Sequence, residues 1–406
     1  MSSFVINGGR SLKGKITVGG SKNAVLPMIF STVLMRGRSV ITDVPDITDV
    51  RVALSLVGDM GASWTLDGDR LCIDTCDMAY LPPDPRLSSR IRASAYLLGA
   101  CLGRFGRADV CTVGGCSFDK RPIDMHIGAA IALGAEQKNG EITAKTLHGS
   151  DIFFQKTSVG ATVNAILMAS CACGMTRFYG YAKEPHVYSL IDFLTSAGAC
   201  ITPHADHLEI HGQDLHGGTG RVIPDMIEAG TYIALSLATH SELEIVGARR
   251  GDLDSFISTL VDAGACLRFS GDSVFADGVL DEPAVIIAAP HPAFATDLQP
   301  QMAPLLAAFC GGSITDTVWH SRFGYLAELA KHGLRYECIG NTALIKPSVL
   351  RPANTTALDL RGGASILIAA LAANGESRVD SAETVRRGYE NIVNKLRAVG
   401  ADIYEI

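Results

Sequence analysis

Six times along this chain a glycine closes an apolar, helix-like stretch: Gly61, Gly134, Gly198, Gly264, Gly333 and Gly400. Alanine follows in every case but one, where Leu334 takes its place. The intervals are 73, 64, 66, 69 and 67 residues, which defines a period. A period this long is a complete supersecondary unit, larger than an ordinary solenoid repeat. Each copy reads in the same order. A small-residue helix comes first, as at Asn23-Ala24-Val25-Leu26, and a strand follows, as at Arg38-Ser39-Val40-Ile41. After a polar loop, a second helix such as 50–57 ends at the glycine, and a β-hairpin passes through a turn such as Asp67-Gly68-Asp69.

Strands and helices that alternate in this way predict an α/β (α+β) chain with helices packed on sheets. Six equal units divide three and three, so two domains are expected: residues 21–225, and residues 1–20 with 226–406. Gly217-Gly218-Thr219-Gly220 reads as the neighbourhood of the boundary, and Phe4-Val5-Ile6 as a strand that pairs with the second domain.

Composition narrows the function. Hydrophobic content of 47% and charged content of 19% describe a chain with a large core. A net charge of −7 argues against nucleic acid as a partner. The N-terminus shows no signal-peptide pattern, and no apolar run is long enough for a membrane span, so the cytoplasm is expected. Of the 11 cysteines, Cys72, Cys101, Cys171, Cys200, Cys266, Cys310 and Cys338 lie in apolar surroundings and read as small buried hydrophobes in a reducing compartment.

One cysteine stands apart. Cys116 follows Gly114-Gly115 and precedes Lys120, Arg121 and Pro122. Nearby cations favour the thiolate, and the same cations can hold an anionic substrate, although a lone Gly-Gly-Cys also reads as a surface turn. The repeat sets other polar residues at equivalent places. Helix starts carry Lys22-Asn23, Arg90 with Arg92, Lys156 with Ser158, Asp225, Asp297, and Asp359 with Arg361; the loops carry Glu184, Arg249-Arg250, Arg322 and Arg387. Helix starts that share a face gather dipoles and cations suited to phosphates or carboxylates. His204, His207, His211 and His216 match no standard zinc spacing and read as a solvated hairpin; no metal and no cofactor are expected.

Taken together, the motifs resemble the enolpyruvyl transferases over nearly the whole chain. They are Gly20-Ser21-Lys22-Asn23-Ala24, Arg92-Ala93-Ser94, Gly114-Gly115-Cys116 through Arg121-Pro122-Ile123-Asp124, Lys156-Thr157-Ser158-Val159-Gly160, His291-Pro292-Ala293-Phe294 with Thr296-Asp297, Arg322-Phe323, Asp359-Leu360-Arg361, and Arg387-Gly388-Tyr389-Glu390. The resemblance implies a two-domain inside-out α/β barrel of six βαβαββ units, three per domain, that closes over substrate. It also implies transfer of the enolpyruvyl group of phosphoenolpyruvate to the 3-hydroxyl of UDP-N-acetylglucosamine, the first committed step of peptidoglycan synthesis. By the same resemblance Cys116 is the general acid and the target of the phosphonate epoxide fosfomycin, Asp297 is the base, and Lys22 and Arg387 act in catalysis. Lys22, Asn23, Arg92, Arg121, Arg322, Arg361 and Arg387 would bind phosphoenolpyruvate. Asn23, Arg92, Arg121, Pro122, Ile123, Asp124, Lys156, Ser158, Val159, Gly160, Asp297 and Val318 would bind the nucleotide sugar.

Thr48, His186, Met226 and Ala295 depart from the family pattern and bear on the acceptor and on closure. Two alternatives stay open on sequence alone. One is a sister transferase acting on shikimate 3-phosphate or another nucleotide, and the other is a binding protein that has lost turnover.

Overall fold

The computed structural model describes residues 2–110, 114 and 122–406. These fall into two compact units, one of residues 2–19 with 224–406, the other of residues 20–223. Each unit carries three small open sheets, and the described strands close no barrel.

The repeat glycines have a local cause. All six adopt φ between +89° and +104°, a region that costs an L-residue strain and glycine little. In each copy the glycine N–H donates back three residues, from Gly61 to Gly58 O through Gly400 to Arg397 O, at 2.9–3.0 Å. The next residue's N–H reaches back five, from Ala62 to Val57 O through Ala401 to Leu396 O, at 2.9–3.3 Å. This pair of bonds is the Schellman motif, and it satisfies carbonyls that the helix end leaves over. The residue after glycine is buried in all six copies, which is why alanine or leucine stands there.

The third and fifth repeats show the full unit. In the third, strand Asp151–Phe153 leads into helix Val159–Ala169, strand Met175–Tyr179, helix Pro185–Ser196, and the hairpin of Cys200–Pro203 with His207–His211. The leading strand pairs parallel with the strand after the helix, and the hairpin adds antiparallel. Three other repeats borrow a strand. Thr219–Arg221 pairs parallel with Arg38–Thr42 as the leading strand of the first repeat. Lys13–Thr17 pairs parallel with Glu242–Val246 and leads the fourth. Ser3–Gly8 lies between Gly375–Asp380 and Asp402–Glu405 and completes the sixth. The end of the Gly217–Gly220 stretch therefore belongs to the first repeat's sheet, a few residues before the units divide between Ile223 and Pro224. A side chain at Gly217 would strike the Arg38 carbonyl, and one at Gly220 would crowd Phe193 and Met28.

The first helix of each repeat is the inner one. Met226–Ala238, Gln299–Ala308 and Leu360–Ala372 pack pairwise in one unit, and Tyr96–Phe105 packs on both Lys22–Ser31 and Val159–Ala169 in the other. Most of their residues are buried, as expected for helices apolar on nearly every side. The sheets lie against them with alternate residues inward, as Leu208 and Ile210 show in His207–His211.

That alternation corrects the cysteine reading. Only Cys101 of the seven is buried; Cys200, Cys266 and Cys338 are exposed, and Cys72, Cys171 and Cys310 are intermediate. Cys200 and Cys266 alternate with Ile201 and with Leu267 and Phe269, the residues of those strands that pack on the core, so apolar neighbours in sequence did not mean burial.

Gly400 and Gly264 separate the two costs of a side chain at these caps. At Gly400 an added methyl group meets nothing within 4 Å, so Gly400→Ala should cost only the backbone strain, roughly 1–2 kcal/mol. At Gly264 the methyl would also strike the Asp281 carboxylate, so Gly264→Ala should lower the denaturation midpoint further. Equal midpoints for the two variants would contradict this account.

Candidate active-site clusters

In the unit of residues 2–19 and 224–406, three inner-helix starts bring charged groups together. Asp225 and Asp359 cap their helices, accepting from Ile227 and Glu228 N–H, and from Arg361 and Gly362 N–H. Asp297 stands just before the Gln299–Ala308 helix. Arg322 Nη1 donates to Asp297 Oδ1 at 2.8 Å, and Arg361 Nε to Asp297 Oδ2 at 3.3 Å. The Arg322 and Arg361 side chains are 4% and 2% exposed, and that of Asp297 is 29% exposed. One carboxylate with access to solvent therefore sits on two guanidiniums that have almost none.

Burial works against both charges. For Arg322, Asp297 and Asp359 outweigh it and hold the pKa above the usual value. For Arg361, Tyr389 and Asp297 do the same. The Arg361 guanidinium also lies over the Tyr389 ring, 5.4 Å from its centre. Tyr389 is fixed in turn by Thr231 at 2.9 Å and Gln301 at 3.2 Å. Arg361 Nη1 is buried and has no hydrogen-bond partner among the described residues. Asp316, fully buried, accepts from Thr296 Oγ1 and from the N–H groups of Val318 and Trp319, which sets the loop carrying Val318. Arg387 ends helix Ala382–Arg386 and is partly buried.

In the other unit Lys22 opens helix Lys22–Ser31, with Asn23 beside it. Its Nζ lies 2.7 Å from Oδ2 of Asp49, a fully enclosed carboxylate in the first turn of helix Thr48–Asp59. Arg92 opens the short turn of helix that runs into Tyr96–Phe105. Ser158 caps Val159–Ala169, so Val159 and Gly160 form its first turn, while Lys156 is exposed in the preceding loop. Pro122 and Ile123 lead into helix Asp124–Ala132. Cys116 and Arg121 lie outside the described residues.

Sequence reasoning missed the residue that links several of these. His126 is buried, and Asn164 Nδ2 is 2.7 Å from its Nδ1. The amide's orientation is fixed, because Asn164 Oδ1 accepts from Gly99 N–H at 2.6 Å and Nδ2 donates to Ala95 O at 3.0 Å. His126 Nδ1 is thus the acceptor, and Nε2 carries the proton beside Gly160. Burial, then the Arg92 guanidinium, push the imidazole down to about 4 against the pull of Asp124. Arg92, Asp124 and Gly160 therefore surround one neutral histidine. The only sequence signal was its place in the first turn after Asp124, and its partner Asn164 is 38 residues away.

A depressed imidazole pKa has a sign. An unfolded histidine near 6.5 binds a proton that buried His126 refuses until about pH 4. Its contribution is present above pH 6.5 and is lost as the pH falls through 4. Between pH 7 and 4 the wild type should lose roughly 2–3 kcal/mol more stability than His126→Gln, at 1.36 kcal/mol per unit. Parallel denaturation curves for the two proteins would rule this out.

Comparison with known proteins bears on what these clusters serve. The family model for EPSP synthase (3-phosphoshikimate 1-carboxyvinyltransferase) matches residues 6–396. A UDP-N-acetylglucosamine 1-carboxyvinyltransferase of Halothermothrix orenii is 38% identical, with 100% of both chains covered. UDP-N-acetylglucosamine 1-carboxyvinyltransferase 2 of Streptococcus mutans is also 38% identical, covering 99% of each chain. Among solved structures, the enolpyruvyl transferase NikO from Streptomyces tendae shares the fold, with a TM-score of 0.88 at 24% identity over 100% of this chain and 99% of that one. With the motifs on inner-helix starts and a match from residue 6 to residue 396, the chain belongs to the EPSP synthase family of enolpyruvyl transferases.

Proposed function

We propose that this protein transfers the enolpyruvyl group of phosphoenolpyruvate to the 3-hydroxyl of UDP-N-acetylglucosamine, releases phosphate, and so commits carbon to peptidoglycan in the cytoplasm. The observation that carries the reading is the Asp297 carboxylate held by buried Arg322 and Arg361, in a chain 38% identical end to end to relatives named for that activity. Those names favour a sugar nucleotide over shikimate 3-phosphate as the acceptor. No helix among the described residues is long and apolar enough to cross a membrane.

The chemistry needs a proton at one carbon and a base at the hydroxyl. The sugar oxygen bonds to C2 of phosphoenolpyruvate as its proton passes to Asp297, while Cys116 protonates the C3 methylene. The tetrahedral adduct then loses a proton from C3 and expels phosphate, which restores the double bond. Charge on that adduct is met by fixed cations, in the roles suggested for Lys22, Arg92, Arg121, Arg322, Arg361 and Arg387. Substrate anions compete with Asp297 for Arg322 and Arg361, and the exchange frees a carboxylate lone pair for the sugar hydroxyl. On the nucleotide side, Asn23, Pro122, Ile123, Asp124, Lys156, Ser158, Val159, Gly160 and Val318 hold the UDP-sugar, with the Nε2–H of His126 beside Gly160.

Asp297→Asn tests the base. The amide still accepts a hydrogen bond but takes no proton, so calorimetry should find nucleotide-sugar affinity within about threefold of wild type while phosphate release falls about 10²–10⁴-fold. The variant also removes the charge shared by two buried guanidiniums, so its melting temperature should drop. Turnover near the wild-type rate would take Asp297 out of this role.

A further inference from the structure

The outward face of the third repeat's sheet carries a cluster that the proposed reaction does not use. Strand His207–His211 turns Leu208 and Ile210 into the core, which leaves His207, Glu209 and His211 on the other face. His204 N–H donates to His207 O at 2.8 Å across the hairpin turn. The two imidazoles stack, centroids 4.4 Å and planes 14° apart. One ligand atom from each of His204, His207 and Glu209 lies within 4.8 Å of the others. Around a tetrahedral zinc ion such atoms stand about 3.3 Å apart, a gap that side-chain rotation would have to close.

The neighbours prepare these groups. Asp206 Oδ1 is 2.8 Å from His207 Nδ1, so Nδ1–H is donated and the ring's lone pair is on Nε2. A carboxylate behind a ligating histidine is the usual support of a metal site. Arg177 Nε donates to Glu209 Oε2 at 3.2 Å and fixes the carboxylate on this face. His211 Nε2 approaches Glu209 Oε1 at 3.3 Å but lies outside the three-residue cluster. Tyr179 backs His207 at 5.5 Å and itself stacks on Phe153 at 4.5 Å.

We propose that His204, His207 and Glu209 bind one divalent transition-metal ion of the zinc class. Two imidazoles and one carboxylate suit zinc, nickel or copper, whereas magnesium and calcium prefer oxygen alone. The spacing matches no zinc-finger loop; the hairpin brings position 204 against 207, and alternation adds 209. The cluster shares no residue with the groups assigned to catalysis, so the bound ion stabilises or links at this sheet and takes no part in enolpyruvyl transfer.

Equilibrium dialysis of the full-length protein against Zn²⁺, with metal analysis, tests the assignment. Because the 11 cysteines also attract zinc, the difference between proteins is what counts. Wild type should hold one equivalent more than His204→Ala/His207→Ala. Glu209→Gln should weaken that equivalent at least about tenfold, and Asp206→Asn, acting through His207, by about tenfold. Excess Mg²⁺ should not displace it. His204 is exposed while His207 and Glu209 are half-buried, and an unchanged circular dichroism spectrum verifies each fold. Equal zinc content and affinity in wild type, the double variant and Glu209→Gln would overturn the proposal.

Discussion

Two guanidiniums with almost no access to water share the Asp297 carboxylate, and much of the surrounding unit is arranged to permit this. Taking a charge out of water costs several kcal/mol even after relaxation, and a buried pair often only breaks even against an apolar replacement. Arg361 is compensated by the Tyr389 ring and the Asp297 carboxylate. Arg322 is compensated by Asp297 and by the carbonyl and hydroxyl of Thr296. In the proposed reaction these cations would be in place before substrate arrives, with their reorganisation already met by the fold.

The inner helices make that presetting possible. Because they are apolar on nearly every side, their polar ends are the only place where charge collects. The repeat places three such ends in each unit. Borrowed strands tie the chain's distant parts together: Lys13–Thr17 joins Glu242–Val246, and buried Glu228 accepts from Gly19 N–H and from Lys395, each at 2.7 Å. The Schellman caps then turn each outer helix toward its hairpin with the same pair of hydrogen bonds and a similar glycine φ.

How much of this could be read beforehand follows from what has a local signature. The glycine caps do, since the left-handed position selects glycine, and with them came the repeat and the α/β class. Helix starts do as well, which is why Lys22, Arg92, Ser158, Asp225, Asp297, Asp359 and Arg361 were found on or beside them. Pairing across helices leaves no such mark. Nothing near Lys22 in sequence announces Asp49, and nothing near His126 announces Asn164. The exposed Cys200 and Cys266 were misjudged for a related reason: strand alternation decided which way those side chains point. The roles of Cys116 and Arg121 rest on family motif alone, because both lie outside the described residues.

The central claim is that the clamped carboxylate and its cations serve enolpyruvyl transfer to a sugar nucleotide. Incubation of the purified protein with phosphoenolpyruvate and UDP-N-acetylglucosamine, followed by phosphate assay and mass spectrometry of the nucleotide, tests it most directly. The account predicts one phosphate released for each nucleotide that gains one enolpyruvyl group, and no release when shikimate 3-phosphate replaces the nucleotide sugar. Release with shikimate 3-phosphate instead, or an unmodified nucleotide sugar after prolonged incubation, would contradict it.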